Sequence, residues 1–159
     1  MTEQQTAEPI FSIEKIYTRD ISLESPNAPQ IFLERENPTV EMQLRNEASN
    51  LEEGLYDVLL TVTVTAKVGD KTMFLAEAGQ AGIFQIRNLP ADNLEPVLGV
   101  TCPNILFPYV RETISDLVTR AGFPPVLLAP VNFEAMYLQR LQAQQEALQG
   151  QSSGEIPIQ

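Results

Sequence analysis

The chain has 159 residues and one cysteine, a length that suits a single domain whose core needs no disulfide. Its net charge of −11 disfavours nucleic acid and anionic membranes as partners and favours basic proteins, although an acidic surplus also simply keeps a protein in solution. Histidine is absent, which removes the commonest general base and metal ligand and argues against an enzyme.

The N-terminal residues 1–9, MTEQQTAEP, show neither the basic start nor the apolar stretch of a secretory signal. We expect this segment to be flexible. No apolar run in the chain reaches the length of a membrane-spanning helix. A cytoplasmic protein without direct membrane insertion is therefore expected.

Residues 11–24 alternate between apolar and polar side chains and predict a first strand with an acidic outer face. On the apolar parity we place Phe11, Ile13, Tyr17, Ile21 and Leu23. Three prolines between residues 25 and 38 then deny regular structure, so a long crossover loop is expected to carry Ile31, Phe32 and Leu33.

Three further strands follow. Alternation predicts strands over 40–45, 56–66 and 72–86, with a connection from Asn46 to Gly54. In the third strand the valines mark the core side, because β-branched residues suit a pleated surface. Gly69-Asp70 predicts a type II′ turn that pairs the last two strands antiparallel.

Two helices close the chain. The first is predicted from about Asn104 to before Gly122, with an Asp116–Arg120 pair on its exposed side. Its apolar stripe is broad, which fits a thick core or burial in an oligomer equally well. The second is capped by Asn132 and ends near Leu148, and residues 150–159 are expected to form a disordered tail.

Strands before helices predict an α+β fold, with a four-stranded antiparallel sheet and two helices packed on one face. The folded domain is expected over residues 10–149. The opposite sheet face would carry Asp20, Glu24 and Glu77, which on the residues alone reads as an ordinary solvated face.

Several segments closely resemble the SecB family of bacterial protein-export chaperones. They are FSIEKIYTRDISLESPNAP, LTVTVTAK, QAGIFQI, CPNILFPY, GFPP and LAPVNFEAMY, which together cover nearly the whole chain. The resemblance implies a homotetramer, a dimer of dimers, that keeps secretory precursors unfolded without ATP and delivers them to the translocation motor SecA. It implies no cofactor and no metal.

The resemblance also implies sites. A face that binds SecA would use Asp20, Glu24, Leu75 and Glu77. A groove for unfolded clients would use Phe32, Val40, Met42, Leu44, Tyr109, Tyr137 and Leu141, any of which could instead be core. A third set is expected at the oligomer interface: Ala76, Ala78, Gln80, Leu106, Val110, Ile114 and Leu117.

Two other functions stay open on the residues. An oligomeric adaptor could bind one specific folded partner and have no general affinity for unfolded chains; competition between unfolded and native forms of one polypeptide separates the two. A small hydrolase or isomerase using carboxylates is disfavoured, because no pair of acids is spaced for a concave site.

Overall fold

One antiparallel sheet of four strands organises the computed structural model, which describes residues 7–152. The strands are β1 (Ile10–Glu24), β2 (Thr39–Glu52), β3 (Leu55–Val68) and β4 (Lys71–Arg87). Their spatial order is β1-β4-β3-β2, so β1 and β2 form the edges. At the β3–β4 turn Gly69 has a φ of 59° and Asp70 has no positive φ, as the predicted type II′ turn requires.

Strand β2 is longer than predicted. It pairs with β3 from Thr39 opposite Lys67 to Glu52 opposite Leu55, so the predicted connection from Asn46 to Gly54 is wrong over most of its length. Polar side chains are tolerated there because β2 is an edge strand whose residues are largely exposed.

Strand β1 departs from simple alternation at two register shifts, between Ile13 and Lys15 and between Thr18 and Asp20. Each shift moves the following side chains to the other face of the sheet. Tyr17 therefore lies on the same face as Asp20, opposite Ala81, and its predicted place on the apolar parity is wrong. Sequence alternation alone could not reveal the two irregularities.

The helical elements follow the sheet. They are α1 (Ala91–Pro96), α2 (Cys102–Arg120) and α3 (Phe133–Ser152), with a π-helical turn over Val97–Thr101 between α1 and α2. A short 3-10 turn, Gln30–Leu33, lies in the crossover segment. The predicted helices are confirmed as α2 and α3, whereas α1 and the π-helical turn were not predicted.

Helix α2 packs on one face of β3 and β4, which we call the helix face; the opposite side is the outer face. The predicted core side of β3 is confirmed, since Val58, Leu60, Val62 and Val64 are fully buried. A Cβ added at Gly82 would stand 3.2 Å from Leu106 Cδ2, which shows how closely helix and sheet approach.

Six of the seven predicted interface residues lie in this core of a single chain. These are Ala76, Ala78, Gln80, Leu106, Val110 and Ile114, all less than 5% exposed. They have almost no surface left for a second copy, which favours a thick core as the reason for the breadth of the α2 stripe; their role at an interface stays a prediction. The seventh, Leu117, stays half-buried.

Helix α3 begins as predicted, because Asn132 Oδ1 accepts a hydrogen bond of 3.0 Å from the Ala135 amide. Phe133 is buried against Phe107 of α2 at a ring distance of 5.9 Å. From residue 142 to 150 the side chains are exposed. The helix ends at Ser152, beyond the predicted end at Leu148, while most of the predicted tail and residues 1–6 lie outside the described residues.

Candidate functional site

Four residues that the family resemblance assigned to motor binding come together on the outer face. Asp20, Glu24, Leu75 and Glu77 form what we call the acidic patch. Strand pairing sets Glu24 opposite Leu75 and Asp20 opposite Gly79, two residues beyond Glu77, so all four side chains point to one side of the sheet. Their docking role stays a prediction; their proximity is a structural fact.

The Glu77 carboxylate accepts a hydrogen bond from a neighbouring strand. Glu77 lies opposite Thr63 in the β3–β4 pairing, and Thr63 Oγ1 donates a hydrogen bond of 2.8 Å to Glu77 Oε2. Asp20 lies over Gly79, where an added Cβ would stand 3.8 Å from Asp20 Cβ. Leu75 supplies a partly exposed apolar surface beside the carboxylates.

A hydrogen bond beside the patch was not predicted. The Tyr17 hydroxyl donates to Asp57 Oδ1 at 2.5 Å, so the side chain spans β4, where Ala81 lies fully buried. This bond, with burial and the charge of Asp57, raises the pKa of Tyr17 above its ordinary value. The β1 register shifts, which place Tyr17 on this face, concealed the contact from sequence reasoning.

The second candidate surface is a groove between β2 and α3 on the helix face. Two adjoining cavities of about 310 and 240 Å³ share Asn46, Gly99, Tyr137 and Arg140. Predicted client-binding residues occur in both: Leu141 lines the larger and Leu44 the smaller, while Tyr137 lines each. We call this the apolar groove.

Tyr137 is held in the groove by its neighbours. A Cβ on Gly99 would stand only 2.8 Å from Tyr137 Cδ2, so the ring lies directly against the backbone of the π-helical turn. On another side Arg140 Cζ is 5.5 Å from the ring centroid, within cation–π range. At the floor, Asn46 Nδ2 donates a hydrogen bond of 3.1 Å to the Leu98 carbonyl.

Val40 and Met42 extend the apolar surface along β2. Both are exposed and lie opposite Ala66 and Val64, on the same side of the sheet as Leu44. Ala66 also lies opposite Phe74, which connects this end of β2 to an aromatic stack.

In that stack Phe32 is half-exposed on the crossover segment, and its ring centroid lies 5.0 Å from that of buried Phe123. The ring centroid of Phe123 lies in turn 5.2 Å from that of Phe74. Gly122 permits the contact, because its φ of 95° and an added Cβ only 3.2 Å from the Phe32 ring both disfavour a larger residue. Phe32 therefore marks the far end of the apolar surface that leads along β2 to Tyr137.

Tyr109 is not brought to the groove. Consecutive residues of an α-helix are about 100° apart, so Tyr109 points away from Phe107, and it is Phe107 that contacts Phe133 of α3. Its side chain is half-exposed on the opposite flank of α2. Tyr109 is therefore separate from the other six client-binding candidates, which lie in the apolar groove or along the apolar surface that leads to it.

Two features of the described residues bear on chemical reactivity: the one cysteine and the placement of groups that could bind a metal ion. Burial raises the pKa of the Cys102 thiol to about 12, so it is not an activated nucleophile. Within residues 7–152 no group of three or more candidate ligands is placed to hold a metal ion. In the same residues no helix has the length and apolar content needed to cross a bilayer.

Comparison with known proteins places this geometry in context. The family model described as preprotein translocase subunit SecB matches residues 4–144. The protein-export protein SecB of Chromobacterium violaceum is 64% identical over 147 residues, 92% of this chain and 98% of that protein. The protein-export protein SecB of Methylobacillus flagellatus is 62% identical over 151 residues, 92% of this chain and 96% of that protein.

A solved structure shares the fold. It is a SecB-like chaperone of Mycobacterium tuberculosis in complex with a ChAD peptide from an antitoxin, with a TM-score of 0.64 and 18% identity. The match covers 76% of this chain and 90% of that one. The relatives carry the names of export proteins, and none of these names describes an enzyme.

Proposed function

The chain belongs to the SecB family of protein-export chaperones, and we propose that it binds unfolded secretory precursors in the cytoplasm and delivers them to the motor SecA without using ATP. The observation that carries this proposal is the position of two surfaces on one sheet. The apolar groove lies on the helix face and the acidic patch on the outer face. A client and the motor could therefore be held at the same time.

The groove suits many client sequences. A client would meet mainly apolar surface there: the Leu44 side chain, the Tyr137 ring and the exposed parts of Val40 and Met42. Such contacts select against few sequences, because selectivity between side chains comes mainly from buried hydrogen bonds and steric exclusion. We expect each groove to bind a short unfolded segment weakly.

The acidic patch suits a basic partner. Asp20, Glu24 and Glu77 gather negative charge on a chain that already carries a net charge of −11. The electric field of these carboxylates should raise the rate of association with basic segments of SecA more than it raises the final affinity. Dissolved salt screens this field. Leu75 adds apolar contact at the Glu24 end of the patch.

We further propose that the chain assembles as a homotetramer, with a contact surface along β1. This edge strand exposes Ile13 and Ile21 to 48% and 50%, and both side chains point to the helix face. Half-buried Leu117 on α2 is retained as a contact residue. Four linked grooves would turn later contacts of one long client into intramolecular ones, so the complex gains avidity without any tight local site.

The proposal is tested by calorimetric titration of the purified chain with a reduced, slow-folding precursor, using the native precursor as the control. Binding to the unfolded form alone supports the chaperone function. Failure to bind, in a preparation shown to be folded and oligomeric, contradicts it. Equal binding to both forms would instead favour an adaptor for one folded partner.

A further inference from the structure

Thr63 is hydrogen-bonded to the Glu77 carboxylate of the acidic patch. Its hydroxyl, on the central strand β3, donates the 2.8 Å hydrogen bond to Glu77 Oε2, and both residues are half-buried. We propose that Thr63 is a positioning residue for motor binding: it holds the Glu77 carboxylate where a basic segment meets the sheet. This inference rests on the proposed role of the patch in binding SecA.

The hydrogen bond acts on one carboxylate and leaves the rest of the patch free. In the described part of the chain, neither the Asp20 nor the Glu24 side chain has a hydrogen bond to a neighbouring group. A glutamate has three rotatable side-chain bonds, so an untethered Glu77 would occupy several rotamers. With Oε2 held by Thr63, Oε1 remains open to a lysine or arginine.

Fixing the carboxylate in advance lowers the entropic cost of binding. Immobilising a flexible side chain at an interface typically weakens affinity by about three- to tenfold compared with a side chain that is already ordered. Losing the Thr63 hydroxyl should therefore weaken motor binding by about this factor, although Thr63 itself need not touch the motor.

Thr65 provides a matched control within the same strand. It lies two residues along β3 on the outer face, between Leu75 on β4 and Glu41 on β2, and within the described residues its hydroxyl makes no hydrogen bond to a carboxylate. Thr63→Val and Thr65→Val each replace a hydroxyl with a methyl group of nearly equal size. The β-branched shape that suits a strand is kept in both.

The experiment measures SecA binding by calorimetry at low salt for the full-length chain and its variants. We expect Thr63→Val to raise Kd about three- to tenfold, Thr65→Val to leave it unchanged, and Thr63→Ser, which keeps the hydroxyl, to restore it. In a Glu77→Ala background, Thr63→Val should have no further effect. All these variants should remain folded at the temperature of the titration, and binding to an unfolded precursor should be the same for all of them.

The outcomes separate the inference from the proposed function. An unchanged Kd for Thr63→Val, while Glu77→Ala does weaken binding, overturns the positioning role alone. A loss shared equally by Thr65→Val, or one that persists in the Glu77→Ala background, also overturns it, because the effect would not pass through the carboxylate. Absence of SecA binding by the unmodified chain overturns both.

Discussion

The Tyr17 hydroxyl and the Asp57 carboxylate are joined by a hydrogen bond of 2.5 Å that crosses strand β4. Asp57 is only 8% exposed, so this bond compensates a carboxylate that has little contact with water. The pair ties edge strand β1 to central strand β3 on the face that carries the acidic patch.

Tyr17→Phe should therefore lower the free energy of unfolding by about 1–3 kcal/mol, since the substitution leaves a largely buried acceptor without this donor. Urea unfolding at pH 7 measures the change. Tyr109→Phe is the matched control, because Tyr109 is half-exposed and its hydroxyl makes no hydrogen bond within the described residues. Equal effects of the two substitutions would contradict a specific role for the Tyr17–Asp57 bond.

The same bond predicts a dependence of stability on alkaline pH. The bond to Asp57, burial and the charge of Asp57 raise the pKa of Tyr17 above 10.0, so the folded state holds this proton more tightly than the unfolded state. The contribution is complete below about pH 10 and is lost as the pH rises through the raised pKa. The stability difference between the unmodified chain and Tyr17→Phe should shrink above pH 10, as followed by thermal melting; a constant difference would count against the bond.

The position of the patch followed from alternation in the strands, and the course of β1 shows where that reasoning fails. The two register shifts in the middle of β1 do not affect the common face of Asp20, Glu24 and Glu77. Asp20 and Glu24 both follow the second shift, and Glu77 is on β4. Tyr17 lies between the two shifts, so its face depends on backbone irregularities that no side-chain pattern records. The Tyr17–Asp57 bond was missed for this reason.

The groove was predictable in its residue types but not in its walls. Tyr137 and Leu44 were expected in a groove because of the family resemblance, yet nothing in the sequence indicated that one wall is the π-helical turn, where Gly99 meets the Tyr137 ring. That turn has no periodic pattern, and its shape depends on packing against α3. The sequence also left open whether the apolar residues of α2 belong to the core or to an interface, because an apolar stripe does not show which partner covers it.

Ile114→Ala and Leu117→Asp should separate core from interface. Ile114 is fully buried in one chain, so its truncation should destabilise the fold by about 2–5 kcal/mol. Leu117 is only half-buried, and an aspartate there should dissociate the proposed assembly with a smaller effect on the fold. Sedimentation velocity with urea unfolding checks both; an intact assembly of a folded Leu117→Asp chain would exclude this residue from the interface.

Glu77→Lys should weaken SecA binding about tenfold or more at low salt, because it replaces attraction for a basic segment with repulsion. The loss of affinity should diminish as salt is added, since screening weakens both the attraction by Glu77 and the repulsion by the introduced lysine. Binding to unfolded precursor should persist, because the groove lies on the other side of the sheet. Calorimetry with each partner measures the two affinities separately.

Glu41→Lys is the matched control for this charge reversal. Glu41 is exposed on the same outer face, but on edge strand β2, two strands away from Glu77. It should change SecA binding much less. A similar loss from both reversals would show that overall charge, rather than the acidic patch, governs the encounter, and equal loss of client binding would contradict separate sites.

Tyr137→Ala should weaken the binding of a short unfolded peptide by a factor of roughly 5–30, because truncating an aromatic anchor that the bound peptide would cover typically costs about 1–2 kcal/mol. A short peptide is the right probe, since a long client engages several grooves and avidity hides the loss at each. Leu138→Ala is the control: Leu138 is the neighbouring residue of α3 but is well exposed and does not line the groove. Fluorescence anisotropy of the labelled peptide measures both variants, and a larger effect of Leu138→Ala would move the client site from the cavity beside Gly99 to the outer side of α3.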